Sequence, residues 1–180
     1  FFGAALGNVV RGVNLGMVEN GVSTQEAHYF FLPLWNPTFD PLAEQQGVID
    51  WFTLLLGLVA VVTLTIHGAN WIILKTSTSL NQRLKKVIFK LNFVLLALVV
   101  ASACLWHYVK PFPLNNLQTH YWLWIFPIFG AVGLIGLFRI NKFKKDSSGF
   151  LFSSMFIFGS FATTIASMFP TLLPSTNGVN

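Results

Sequence analysis

Four stretches of the chain are apolar almost without interruption, and their lengths predict helices that cross a bilayer. Residues 51–74, WFTLLLGLVAVVTLTIHGANWIIL, contain no Lys, Arg, Asp or Glu. Residues 91–109, LNFVLLALVVASACLWHYV, follow, with Lys90 at their edge. Residues 121–138, YWLWIFPIFGAVGLIGLF, include Pro127, which predicts a kink. Residues 150–173, FLFSSMFIFGSFATTIASMFPTLL, have Pro170 near their exit. A helix needs about 20 apolar residues to span the hydrocarbon layer, and these segments meet or approach that length. The opening FFGAALGNVVRGV, residues 1–13, reads as the outer end of a truncated fifth helix, so the chain is expected to be part of a longer protein. The predicted fold is all-α: a polytopic transmembrane helix bundle of four complete spans plus the end of another. In domain terms, an outer segment occupies 14–49, the four-span bundle 50–174 and an outer tail 175–180.

Polar and small positions within the spans predict which faces meet protein. At 100° per residue, Thr53, Ala60, Thr63, His67 and Asn70 fall within an arc of about 100°. Lipid offers polar groups no partner, so this stripe is expected to face other helices. In the last span Ser153, Ser160 and Ser167 recur every seven residues, with Thr164 and Thr171 on the same face. Gly130, Gly133 and Gly136 form a row in the third span that lets a neighbouring backbone approach. Two readings of these rows remain open: tight helix packing, or a hydroxyl-lined path for water or protons.

Composition agrees with a membrane protein. Of 180 residues, 54% are hydrophobic and only 9% charged, against about 25% charged in soluble domains. The net charge of +5 does not point to nucleic acid, because the placement of the basic residues outweighs their sum. Lys75, Arg83, Lys85, Lys86 and Lys90 cluster in one connection, and Arg139, Lys142, Lys144 and Lys145 in another. The positive-inside rule puts both bends, 75–90 and 139–149, in the cytoplasm. Glu19, Glu26, Asp40, Glu44 and Asp50 lie on the opposite side, so 14–49, 110–120 and 175–180 are expected outside.

The candidate chemistry is sparse. By helical rise, His67 lies roughly 12 Å and His107 roughly 26 Å from the inner side, so they cannot share one haem. Cys104, His107 and His120 are a weak metal-ligand pattern, better explained as interfacial polar residues. For His67 three roles stand: an interhelical hydrogen bond, a proton relay, or ligation of a cofactor held partly by another chain. Arg11, one helical turn after Asn8, opposes the positive-inside trend and invites pairing with an acid such as Asp50. The alternatives for Arg11 are a lipid headgroup, a partner subunit, a cofactor propionate or a quinone headgroup.

Taken in order, GNVVRGV, YFFLPLW, GVIDWFTLLLGLVAVVTLTIHGANWIILKT and FLFSSMF…MFPTLLPST resemble the later part of the second subunit of bacterial cytochrome bd-type quinol oxidases. The resemblance implies a multi-pass subunit of the bacterial inner membrane within a heterodimeric terminal oxidase. Such an oxidase oxidises quinol, reduces dioxygen to water and contributes to the proton gradient. It further implies that haems b and d and the quinol site belong to the larger subunit I. This chain would then be a haem-free partner in contact with membrane lipid, supporting assembly and proton or oxygen access, with a bound quinone or lipid in some members. His67 matches the HGA segment, but no ligand role is carried onto it. A different class, part of a secondary transporter, draws its support from Pro127 and the glycine row.

Overall fold

A computed structural model describes residues 1–12, 18–19, 22–23, 34–43, 47–76, 79–109, 117–140 and 145–169. Each apolar run forms a helix. In chain order these are α1 (Phe2–Arg11), α2 (Trp51–Lys75), α3 (Ser79–Val109), α4 (Ile125–Phe138) and α5 (Ser147–Met168). A 3-10 turn, Tyr121–Trp124, runs directly into α4. Four segments are long and apolar enough to cross a membrane: Trp51–Lys75, Ser79–Val109, Tyr121–Phe138 and Ser147–Met168. In the outer segment, Val18–Glu19 pairs antiparallel with Val22–Ser23 in a two-residue ladder. Lys142, Lys144, Pro170, Thr171 and the tail 175–180 lie outside the described residues.

Three boundaries depart from the sequence expectation. α3 begins at Ser79 rather than residue 91 and is 31 residues long, about 46 Å at 1.5 Å per residue. It outruns the hydrocarbon layer because Arg83, Lys85 and Lys86 are good helix formers whose charges sit in the aqueous interface. α5 runs Ser147–Met168 rather than 150–173, and Phe169 turns to extended backbone, as a residue preceding proline favours. Pro127 does not kink the middle of a span. It sits in the first turn of α4, where the 3-10 turn gives way to α-helix and a missing N–H costs least.

Small residues set how closely the helices approach. α4 and α5 make the most extensive pair. A Cβ on Gly133 would lie 2.5 Å from the backbone nitrogen of Phe156, and Gly130 faces Gly159 backbone to backbone. Gly136 gives room to the Phe152 ring. α1 lies antiparallel on α2, with Gly3 against Ala60 and Gly7 against Thr53. α2 also contacts α3 and α5 and so forms the hub. Its Val62, Ile66 and Ile73 close a core with Ile88 and Leu95 of α3, Leu134 and Leu137 of α4, and Phe156 of α5. Leu58, Val61, Phe93, Val100, Ile135 and Phe158 point outward, as suits side chains meeting lipid or another subunit.

The inner ends are tied by polar groups. Lys85 donates to Asp146 at 2.6 Å. The Asn81 amide reaches Asp146 at 3.2 Å and the α2 carbonyls of Ile73 and Thr76 at 3.2 and 3.1 Å. It thus satisfies acceptors that a helix C-terminus otherwise leaves open. The hydrogen bond from Lys85 is the chief reason the Asp146 carboxyl sits below its ordinary 3.8. A depressed value means that the clamp's contribution exists above the ordinary carboxylate range and is lost as pH falls through the lowered one. Exposure to solvent keeps that contribution small.

Gly133→Ala is expected to destabilise the protein by about 1–3 kcal/mol through overpacking against α5. Gly68→Ala, with nothing within 4 Å of the new methyl, should change stability by no more than about 1 kcal/mol. Thermal denaturation of the purified protein compares the two, and equal effects would rule out close α4–α5 contact as the cause.

Candidate functional site

The polar side chains of the bundle gather in two places on the face of α2 that meets its neighbours. The outer one is an ion pair. Asp50 is the N-cap of α2: its Oδ1 accepts from the Thr53 N–H at 2.8 Å, and the Thr53 hydroxyl accepts from the Asp50 N–H at 2.9 Å. This reciprocal box satisfies N–H groups that a helix start leaves open. Its other oxygen, Oδ2, accepts from Arg11 Nη1. Arg11 lies in the last turn of α1. A cation at a helix C-terminus and an anion at a helix N-terminus each meet the favourable end of a macrodipole.

Arg11 and Asp50 are 3% and 1% exposed, so the pair depends on complete hydrogen bonding. Arg11 Nη2 donates to Asn8 Oδ1 at 2.7 Å and to the Gly47 carbonyl at 3.1 Å, and Nε reaches the Gly12 carbonyl at 3.5 Å. Asn8 in turn donates to the carbonyls of Ala4 and Val48 at 3.0 and 2.8 Å. Gly47 has to be glycine here, since a Cβ would fall 2.7 Å from the Asn36 nitrogen and Trp35 Cα. Of the partners that the sequence leaves open for Arg11, the structure supplies the acid. Four of the five guanidinium N–H groups are engaged within the chain, which leaves little to offer a propionate or a quinone headgroup.

The second gathering lies toward the inner side. His67 Nδ1 is 2.9 Å from Ser153 Oγ, and the same hydroxyl donates to the Phe150 carbonyl at 2.9 Å. The imidazole rests on the Phe150 ring, centroids 4.7 Å apart. One turn further in, Asn70 is buried and donates to the Ile66 carbonyl at 2.9 Å. Its amide fills the space beside Gly149 that a side chain would take.

The two gatherings do not join. Between Thr53 and Thr63 the α2 face is filled by small and apolar groups such as Ala60 against Gly3, over about 15 Å of rise. Thr63 is buried, and its hydroxyl has no hydrogen-bond partner among the described residues. Along α5 the hydroxyls turn back on their own helix: Thr164 donates to the Ser160 carbonyl and Ser167 to that of Thr164. Ser153 and Ser167 are buried, but Ser160 is exposed, contrary to a continuous inward serine row. The contact line of α5 runs instead through Gly149, Ser153, Phe156 and Gly159, the steps of three and four that match the helical repeat.

Two asparagines were not singled out by the sequence reading. The available signal was asparagine, a costly residue to bury, on the same face as the core positions Ile88 and Leu95. Asn92 is 1% exposed and donates to the Leu137 carbonyl of α4 at 3.0 Å.

No three His, Cys, Asp or Glu side chains come together among the described residues. Cys104, His107 and His120 are exposed at the outer end. His67 faces Ser153 and Phe150 rather than another histidine or cysteine.

The family described as cytochrome bd terminal oxidase subunit II matches residues 1–180. A curated relative from Haemophilus influenzae, named "Probable cytochrome oxidase subunit 2", is 28% identical over 201 aligned positions covering 98% of this chain. The chain spans about half the length of that relative, 49%.

Arg11→Ala is expected to cost about 3–5 kcal/mol by leaving Asp50 buried and unpaired, while a joint replacement of both by apolar residues costs less than either single change. A double-mutant cycle on thermal stability of the purified protein measures this. Additive losses would show that the two side chains do not act as a pair.

Proposed function

The chain belongs to the cytochrome bd terminal oxidase subunit II family, and from that membership we propose that it serves as the haem-free second subunit of a quinol oxidase in the bacterial inner membrane. The observation that carries this reading is the family match across the whole chain. The complex oxidises quinol, reduces dioxygen to water and adds to the proton gradient. Haems b and d, held by subunit I, supply the electron transfer.

The part played by this chain's own residues is architectural. The Arg11–Asp50 lock fixes the outer segment to the start of α2, and the Lys85–Asp146–Asn81 clamp holds the inner bends. Between them the glycine-lined α4–α5 pair and the α2 hub make a stiff block with apolar outer faces for subunit I and for lipid. A structural quinone or lipid against those faces belongs to the same reading. The bends 75–90 and 139–149 face the cytoplasm, and 14–49, 110–120 and 175–180 the outside, as the basic residues dictate. His67, hydrogen-bonded to Ser153, is a packing contact. The features that suggested a transporter, Pro127 and the glycine row, are accounted for by helix initiation and contact with α5.

The full-length protein, purified gently, should bring with it a haem-bearing partner with visible absorption and quinol-dependent oxygen uptake. A colourless preparation that moves a solute would favour the transporter instead. In the same complex, His67→Ala is expected to lower the yield of assembled oxidase while every haem band persists in what assembles; selective loss of one band would reject the packing role. With Cys104→Ser and any other native cysteines replaced, Lys86→Cys should react with an impermeant thiol reagent in inside-out vesicles and not in intact spheroplasts, and the reverse would overturn the orientation.

A further inference from the structure

A small pocket lies where α2, α3 and α4 meet near their inner ends, lined by Asn70, Ile88, Phe89, Asn92, Leu137 and Ile140, with Lys85 also on its wall. α3 and α4 touch only lightly there, so the side chains leave a gap. The Asn92 amide nitrogen is spent on the Leu137 carbonyl. Its Oδ1 is buried and has no hydrogen-bond partner among the described residues. An unpartnered amide oxygen in an apolar setting costs about 1–3 kcal/mol, and buried polar groups left open by side chains are ordinarily met by water.

We propose that this pocket is a binding site for internal water, with Asn92 Oδ1 accepting a hydrogen bond from it and Lys85 marking the side from which it exchanges with the cytoplasmic solution. The chemistry selects water over other occupants. The open atom is an acceptor and requires a donor, it is set among Ile88, Asn92 and Leu137 at 3%, 1% and 2% exposure, and the space there is about 20 Å³, enough for water and too small for a head group. A cation is disfavoured by the Lys85 ammonium. Asn70, which also lines the pocket, lies one helical turn from His67 on α2.

Two measurements on the intact membrane complex test this. A density map fine enough to show water should place a peak within hydrogen-bond distance of Asn92 Oδ1; an acyl chain, or a donor from another subunit, in that position overturns the proposal. Hydroxyl-radical footprinting should oxidise Ile88 and Leu137 several-fold faster than Leu95, which is equally buried but away from the pocket. Asn92→Leu should bring those two rates down to that of Leu95. Equal rates at all three positions in the unaltered complex would also overturn it, whether or not the variant assembles.

Discussion

Lipid offers a polar group no partner, so the buried polar groups of this bundle are met within protein, Thr63 Oγ1, Asn92 Oδ1 and Trp106 Nε1 being the exceptions among the described residues. That constraint explains more of this structure than any single apolar contact. It is why Asp50 is at once the cap of α2 and the counter-ion of Arg11, and why Asn8, Gly47 and Thr53 complete the same network. It is why the hydroxyls of Thr164 and Ser167 bond to carbonyls of their own helix. It is also why the asparagines at 81 and 92 are aimed at carbonyls in the last turns of neighbouring helices, the acceptors that a helix end leaves open. Polar groups here work chiefly as fasteners.

Between the fasteners, backbone proximity does the holding. Lipid tails are as apolar as leucine, so helices in a membrane associate through close van der Waals contact rather than through burial from water. The glycines of α4 against Phe152, Phe156 and Gly159, and those of α1 against Thr53 and Ala60, are where that contact is densest. α2 carries both kinds of interaction: it is pinned at its outer end by the ion pair and packed on three sides by other helices. A chain built this way is held by close backbone contact and pinned by a few polar groups, in keeping with the supporting role proposed above.

The candidate site was legible in proportion to how unusual each residue is in its setting. An arginine at an outer helix end and an aspartate just before a span stand out in any membrane sequence, and their pairing was among the partners considered. His67 and Asn70 stood out as polar residues in an apolar run. Their partner Ser153 lies 86 positions from His67, a separation that periodicity along one helix does not bridge. The serine row is interrupted at Ser160, exposed between the buried Ser153 and Ser167, because burial depends on where a neighbouring helix lies, which spacing along one helix does not contain. Asn92 is buried because α4 brings the Leu137 carbonyl to it, a meeting that the linear pattern of α3 does not contain.

The spans follow from the linear pattern, because hydrocarbon thickness acts on stretches of chain whatever their neighbours, and the orientation proposed above rests on the basic-residue bias in the same pattern. Which helix touches which does not follow from it, since the same small-residue face could receive any other helix. The three-dimensional arrangement decided that Arg11 has its acid, that His67 leans on Ser153, and that Asn92 keeps one oxygen open beside a pocket. Each of these depends on the meeting of segments far apart in the chain, and a hydrogen bond is defined by distances that no single segment contains.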